Sequence, residues 1–134
     1  MGLKVKRRYW GICGDKKVEL ISVCTGSRTL DVSVTNYGAR IVSVKAPNKK
    51  GLVGETTLGH DNLEGYLLEK TYFGCTTGGV ANRIASAKFS LDGETYHLSR
   101  NNLGSHHLHG GLEGFDSKVW DIKDVTEKSD AASV

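Results

Sequence analysis

Alternation of apolar and polar residues with a period of two is the dominant pattern along this chain. Such alternation is typical of β-strands that bury one face. It predicts strands at residues 18–23, 30–34, 41–44 and 119–122, and a shorter strand near residues 55–58. The chain should therefore consist mainly of strands.

Helical patterns are weak by comparison. The chain contains 17 glycines and one proline, and no segment has the apolar spacing of an amphipathic helix. Residues 61–68 can form a single helical turn with Asp61 as its cap, but Gly65 disfavours a longer helix. These patterns predict an all-β fold.

Residues 88–98 carry the strongest local signal, a β-hairpin around the turn Asp92-Gly93. An Asp-Gly pair between alternating residues is typical of a tight hairpin turn. Because a hairpin folds its two flanks back together, we expect residues 78–84 and residues 101–111 to lie near each other.

These two flanks carry polar groups that suit a ligand. Asn82 and Arg83 lie in the first, and His106, His107 and His109 lie in the second. An amide both donates and accepts hydrogen bonds, a guanidinium is a planar fork of donors, and an imidazole can transfer a proton. Together they could bind a polyhydroxylated ligand. An Arg in a surface ion pair and an Asn in a turn are the commoner roles of such residues taken alone.

Composition narrows the class of protein. The chain has 134 residues, enough for one domain, with 38% hydrophobic and 25% charged residues. The net charge of +3 is too small to indicate a nucleic-acid or membrane partner. The short basic run of Lys4, Lys6, Arg7 and Arg8 is interpreted as a solvated N-terminal face.

Cysteine usage bears on the compartment. Cys13, Cys24 and Cys75 are an odd number without a C-x-x-C spacing, which argues against a disulfide framework and favours a reducing compartment. No apolar run approaches the ~20 residues that would span a bilayer. We therefore expect a cytoplasmic location.

An ordered series of short motifs runs along the chain from about Leu20 onward. They are Asn36-Tyr37-Gly38-Ala39, Thr57-Leu58-Gly59, Leu63-Glu64-Gly65-Tyr66, Tyr72-Phe73-Gly74, Val80-Ala81-Asn82-Arg83-Ile84, Leu91-Asp92-Gly93, Tyr96-His97-Leu98, Leu108-His109-Gly110-Gly111 and Gly114-Phe115-Asp116. Each motif is weak alone. In this order they resemble the N-terminal part of the aldose 1-epimerase (galactose mutarotase) family. The resemblance implies an antiparallel β-sandwich, of which this chain is the first part.

The resemblance also implies a reaction. Family members interconvert the α and β anomers of a hexose such as galactose or glucose by acid–base ring opening, without a cofactor or metal. Asn82 and Arg83 match residues that contact the sugar substrate. His109 matches a histidine that hydrogen-bonds the sugar near the reacting centre and assists catalysis. His106 and His107 fall where the family varies and are expected to be exposed loop residues, and His97 a strand surface residue.

Two departures from the family pattern matter. Gly79 stands where many members carry an arginine. The family's principal general acid, a second histidine, and its general base, a late glutamate, match no residue of this chain, and Glu113 and Asp116 receive no catalytic role. We therefore expect residues 1–134 to form one partial domain, truncated at its C-terminus, where Ala132-Ser133-Val134 resembles the start of another strand.

Two alternatives remain. One is a non-catalytic carbohydrate-binding remnant of the same family. The other is a cupin-like metal site, because His107 and His109 would share one face of an extended strand and Glu113 follows four residues later. Against the metal site, Gly110 and Gly111 would interrupt that strand.

Overall fold

The main element of the computed structural model is a five-stranded antiparallel sheet whose spatial order follows the chain. The structure describes residues 2–26, 29–69 and 71–134. The strands of this sheet are β1 (Lys4–Cys13), β2 (Lys16–Cys24), β3 (Asp31–Thr35), β4 (Arg40–Pro47) and β5 (Val53–Glu55). Strands β2, β3 and β4 confirm three of the predicted strands, with slightly different bounds, and with them the all-β fold class.

Strand β1 was not predicted. It lies at the edge of the sheet and pairs only with β2, and most of its side chains are exposed. Its basic residues do form a solvated face, as expected, but on a strand. Charged residues on an edge strand hide the alternation that reveals strands in the interior of a sheet.

The rest of the described chain forms short elements. They are α1 (Leu63–Leu68), β6 (Arg83–Ile84), β7 (Lys88–Leu91), β8 (Glu94–His97), β9 (His107–Leu108), β10 (Thr126–Glu127) and β11 (Ala132–Ser133), with three single 3-10 turns at Ala85–Ala87, Gly111–Glu113 and Phe115–Ser117. The β7–β8 hairpin around Asp92 and Gly93 is confirmed. Within the described ranges, no helix is long and apolar enough to cross a membrane.

The predicted single helical turn is confirmed as α1, but its cap is Asn62 rather than Asp61. The Asn62 Oδ1 accepts a 2.9 Å hydrogen bond from the Gly65 amide. The helix buries Leu63 and Tyr66 against the sheet. Gly65 is therefore part of the helix that it was expected to weaken.

Two predicted strands were wrong or displaced. Residues 119–122 form no strand; Val119 makes an isolated bridge with Tyr37, and the Trp120 amide donates a 2.8 Å bond to the Asn36 carbonyl. Strand β5 ends at Glu55, where the prediction began. The Glu55 carboxylate accepts hydrogen bonds from the backbone amides of Thr56 and Thr57, which turns the chain out of the sheet.

The core lies between one face of the sheet and α1. Its buried apolar residues are Val18, Tyr37, Leu63 and Tyr66, with Trp10, Cys13, Val42 and Val119 packed against them. Gly11 lies at a bulge in β1 with a φ of 153°, and a Cβ there would come within 2.6 Å of a Leu63 methyl. The bulge thus lets the helix approach the sheet closely.

The opposite face of the sheet meets the C-terminal segment. Strand β11 pairs with β10, so that Ala132 and Ser133 form a strand as expected. A groove of about 750 Å³ lies between this segment and the apolar residues of β2 and β3. Among the apolar residues that line the groove, Ile21 is buried, whereas Leu30 is 42% exposed.

Candidate functional site

The pairing of β6 with β9 brings the two predicted polar flanks together. Arg83 lies opposite Leu108, and Ile84 lies opposite His107. The β7–β8 hairpin fills the chain between these strands, so the juxtaposition expected from the Asp-Gly turn is confirmed. Each strand of this ribbon is two residues long, and the polar side chains lie at its ends.

Asn82 and His109 face each other just beyond the ends of this short ribbon. The backbone N–H of Asn82 donates a 3.0 Å hydrogen bond to Nδ1 of His109. The backbone N–H of His109 donates a 3.1 Å bond to the backbone carbonyl oxygen of Asn82. Both residues have left-handed backbones, with φ of 62° and 52°. This conformation is common for Asn and uncommon for His. It turns the backbone of both segments beside the β6–β9 ribbon.

The hydrogen bond at Nδ1 of His109 fixes the tautomer of the neutral imidazole. Because Nδ1 of His109 accepts a hydrogen bond from the backbone N–H of Asn82, the ring proton of the neutral form must lie on Nε2. No described residue hydrogen-bonds Nε2 of this half-buried ring. His109 therefore presents an N–H donor at its open end.

Arg83 is exposed and partly fixed by two amides. Its Nε donates a 2.9 Å bond to Oδ1 of Asn102, and one terminal nitrogen donates a 3.2 Å bond to Oδ1 of Asn82. The other terminal NH₂ group makes no hydrogen bond within residues 2–26, 29–69 and 71–134. Two donors of the guanidinium fork are thus directed by the protein while others remain available to a ligand.

A glycine allows the backbone after His109 to pass close to the neighbouring loop. Gly110 has a φ of 90°, and a Cβ at this position would collide with the carbonyl oxygen of Gly78. Substitution here would push the His109 segment away from the loop that precedes Asn82. The glycine after His109 is therefore required by the packing of the site.

Two of the five histidines differ from expectation. His107, expected in an exposed loop, is 6% exposed, and its Nδ1 lies 3.0 Å from the Ser99 carbonyl oxygen. His106 is half-buried, and its Nδ1 accepts a bond from the Ser86 amide. His107 is buried where β9 pairs with β6, and His106 forms a bridge with Asn102 in the preceding loop, so both imidazoles serve the local structure. His97 is exposed on β8, as expected.

The cupin-like alternative has no geometric support. Strand β9 ends at Leu108, and the left-handed turn at His109 breaks the alternation that would place His107 and His109 on one face. Within the described ranges, no three His, Cys, Asp or Glu side chains are grouped so that they could hold a metal ion.

Sequence reasoning did not assign roles to three residues that build the site. Asn101 bridges the backbone of Leu108 and Gly111, Asn102 holds Arg83, and the ring of Tyr72 lies 4.6 Å from that of His109. The Asn101-Asn102 pair stood out in the sequence as polar residues beside the histidines. Nothing local in the sequence indicates the Tyr72 contact.

Comparisons with known proteins identify the family of this chain. Residues 19–134 match the family model for aldose 1-epimerase. The chain is 44% identical over 94 residues to galactose mutarotase from Bos taurus, an alignment that covers 70% of this chain and 27% of the relative. It is 37% identical over 97 residues to aldose 1-epimerase from Escherichia coli K12, covering 72% and 28%.

Solved structures give the same picture. The crystal structure of galactose 1-epimerase from Lactobacillus acidophilus NCFM superposes with a TM-score of 0.73 at 28% identity, covering 89% of this chain and 33% of that one. A GalM/aldose epimerase homologue from C. elegans gives a TM-score of 0.66 at 30% identity, covering 77% and 30%. The chain spans about a quarter of the length of the curated relatives that it matches. From its sequence and its fold, the chain belongs to the aldose 1-epimerase family.

Proposed function

We propose that residues 1–134 supply the sugar-contacting N-terminal part of an aldose 1-epimerase, which interconverts the α and β anomers of a hexose such as galactose or glucose. The proposal rests on family membership and on one observation, the hydrogen-bonded group of Asn82, Arg83 and His109. We call these three residues the triad group. It presents an amide, a guanidinium and an imidazole N–H on one accessible surface.

The chemistry requires little besides proton transfer and a polar cradle. A general base takes the proton of the C1 hydroxyl while a general acid protonates the ring oxygen, so that the C1–O bond of the ring breaks and an open aldehyde forms. Rotation about the C1–C2 bond and reclosure give the other anomer. No electrons are gained or lost, and the two protons are returned on reclosure.

Each member of the triad group has a role that suits its contacts. Arg83 donates its unused N–H groups to adjacent sugar hydroxyls, and Asn82 holds the guanidinium in place. His109 donates from Nε2 to an oxygen near the reacting centre, where the hydrogen bond strengthens as negative charge develops on that oxygen. His109 is thus the catalytic residue that we assign within this chain.

The state of the cysteines bears on the cellular compartment of the protein. Cys13, Cys24 and Cys75 are free and half-buried thiols. Free thiols in a small protein favour a reducing environment. This supports our proposal of a cytoplasmic location.

Sugar binding is the direct test. Galactose and glucose are titrated into the ¹⁵N-labelled chain, and the backbone amide shifts of residues 78–84 and 101–111 are followed by NMR. We expect saturable shifts confined to these segments, weakened in Arg83→Ala and unchanged in Arg100→Ala, a matched exposed arginine. Equal shifts for both variants, or no saturable shift in the unmodified chain, would refute the proposed contacts.

Turnover separates the enzyme from a non-catalytic carbohydrate-binding protein. Polarimetry on fresh α-galactose reports mutarotation directly. In a polypeptide that joins residues 1–134 to a general acid and a general base, sugar binding with no effect of His109→Ala on the rate would favour the binding protein, whereas loss of catalysed mutarotation in this variant would favour the enzyme.

A further inference from the structure

Tyr72 packs its ring against the imidazole of His109. The ring centroids lie 4.6 Å apart and the ring planes are tilted by 56°. Aromatic rings at this distance attract each other beyond the area that they bury. Tyr72 belongs to the loop between α1 and β6. It is not a member of the triad group.

The loop that carries Tyr72 is held by Arg40. One terminal nitrogen of this arginine donates to the carbonyl oxygens of Thr71 at 3.1 Å and Phe73 at 3.0 Å, the residues on either side of Tyr72. The other donates to the Asp116 carbonyl at 2.9 Å. Because Arg40 is only 2% exposed, these bonds are shielded from water.

The Arg40 guanidinium is itself fixed by two aromatic rings. Its central carbon lies 5.4 Å from the centroid of the Tyr37 ring and 5.1 Å from that of Tyr66. Both tyrosines belong to the hydrophobic core. A chain of contacts therefore runs from the core through Arg40 and Tyr72 to the His109 ring.

Two contacts together define the direction of the His109 Nε2–H. The bond from the Asn82 amide fixes one edge of the imidazole at Nδ1, and the Tyr72 ring restricts rotation of its plane about that edge. A hydrogen bond to a sugar oxygen depends on this direction, since its strength falls steeply away from linearity.

We propose that Tyr72 is a positioning residue that holds the His109 imidazole with Nε2–H directed at the sugar, and that Arg40 holds Tyr72 in place. The proposal rests on the proposed function, because it assumes that His109 contacts the sugar. Tyr72 needs only its ring for this role. The phenol need not touch the reacting atoms.

The phenol of Tyr72 remains neutral in ordinary buffers. Burial raises its pKa above the usual value, and the nearby Asp116 and Cys75 raise it further, while hydrogen bonding with Asn101 acts in the opposite direction. The packing surface that His109 meets is therefore the same across the neutral pH range.

NMR of the unmodified, isotopically labelled chain tests the geometry without any variant. We expect nuclear Overhauser contacts between the ring protons of Tyr72 and His109, and imidazole ¹⁵N shifts that report the Nε2–H tautomer for His109. Absence of the ring contacts, or a predominant Nδ1–H tautomer, would overturn the proposal.

Two variants and a control test the positioning role. Tyr72→Phe should leave the His109 imidazole shifts close to those of the unmodified chain, whereas Tyr72→Leu should remove their ring-current shift and mix the tautomers. Tyr96→Leu is the control. It removes a tyrosine whose ring centroid lies 5.2 Å from that of Phe89 in the exposed hairpin, and it should change neither the His109 imidazole shifts nor the tautomer of His109. His106 and His107 serve as internal references in the same spectra. The positioning role of Tyr72 would be overturned if the folded Tyr72→Leu variant kept the His109 imidazole shifts of the unmodified chain. Equal shift changes at His106, His107 and His109 would also overturn it.

Sugar titration distinguishes failure of the positioning role from failure of the proposed function. Tyr72→Leu should weaken galactose binding by about two- to tenfold, the effect of misaligning one hydrogen bond, and Tyr72→Phe should restore it. If the unmodified chain binds no galactose while the ring contacts are present, the proposed function fails and the ring geometry stands. If the Tyr72→Leu variant binds galactose as tightly as the unmodified chain, the positioning role fails and the proposed function stands.

Discussion

The Asn101 side chain pairs with the backbone of Leu108 as a neighbouring strand would. Its Oδ1 accepts a 2.7 Å hydrogen bond from the Leu108 amide, and its Nδ2 donates a 2.8 Å bond to the Leu108 carbonyl. Nδ2 also donates to the Gly111 carbonyl at 3.1 Å. One amide thus holds both sides of the segment that carries His109.

Replacing the side-chain amide of Asn101 should lower the stability of the fold. In Asn101→Ala, the amide and the carbonyl of Leu108, a residue only 7% exposed, lose their partners. We expect the free energy of unfolding to fall by about 2–3 kcal/mol, since each buried group left unpaired costs about 1–3 kcal/mol. Urea unfolding measures this. Asn48→Ala is the control, because Asn48 also accepts two backbone bonds but on an exposed turn, where water replaces them. Equal losses for the two variants would contradict the interpretation.

Arg40 should contribute more to stability than any exposed arginine. Arg40→Leu leaves the carbonyls of Thr71, Phe73 and Asp116 without their buried donor. Breaking such a buried charged network typically costs about 3–5 kcal/mol, and we expect a loss in that range by urea unfolding. Arg100→Leu, at an exposed position, should change stability by less than about 0.5 kcal/mol. A loss for Arg40→Leu as small as this control would show that water replaces the guanidinium easily.

Glu19 should make stability depend on pH. Hydrogen bonds from Arg7 and then Lys17 lower the pKa of its carboxyl to about 2. Because this lies below the unfolded value of about 4.3, the unfolded chain takes up the proton first, and the carboxylate's contribution is present above about pH 4.3 and lost as the pH falls through about 2.

The matching experiment compares Glu19→Gln with the unmodified chain. The difference in free energy of unfolding should be largest near neutral pH and shrink as the pH falls from about 5 to about 2. Glu94→Gln, at an exposed position of the hairpin, is the matched control for the substitution itself. A constant difference across this range for Glu19→Gln would mean that the carboxylate charge contributes nothing.

The parts of the fold that the sequence predicts are those with local causes. The Asp92-Gly93 turn specifies its hairpin by itself, and the hairpin brings Asn82 to His109. Interior strands β2, β3 and β4 carry the two-residue alternation in their sequence, and apolar residues such as Val18 and Val42 pack in the core. Edge strand β1 does not alternate, since Arg7 and Arg8 meet solvent. Its existence depends on pairing with β2, which no local pattern reports.

The parts that the sequence does not predict depend on distant contacts. Val119 and Trp120 have a strand-like pattern, yet their backbone pairing with the turn at Asn36 and Tyr37 amounts to a single bridge and one further hydrogen bond from the Trp120 amide. His107 looks like a polar loop residue but is buried once β9 pairs with β6. Tyr72 meets His109 across a loop that Arg40 and backbone bonds hold to the sheet, so three separate segments must fold before that contact exists.

The roles of Arg83 and His109 should separate kinetically in a protein with measurable turnover. Arg83→Ala should chiefly raise KM, because it removes hydrogen bonds made already with the ground state. His109→Ala should raise KM modestly, because a ground-state hydrogen bond is lost, and should lower kcat more, because that contact strengthens as charge develops. Polarimetry at several galactose concentrations gives both constants, and the reverse pattern would overturn this division of roles. His97→Ala, at an exposed histidine of the hairpin, should alter neither constant.

The 134-residue polypeptide by itself should show little mutarotation above the spontaneous rate. The family's principal acid and base match no residue in it, and a positioned acid or base typically contributes about 10²–10⁴-fold each. The contacts that Asn82, Arg83 and His109 provide would then accelerate the reaction only slightly, against an uncatalysed reaction that is already appreciable in water. Polarimetry on fresh α-glucose and α-galactose, with monodisperse protein, measures this. Robust turnover that disappears in His109→Ala would show that these residues suffice for catalysis and that the acid and base roles are filled within the chain.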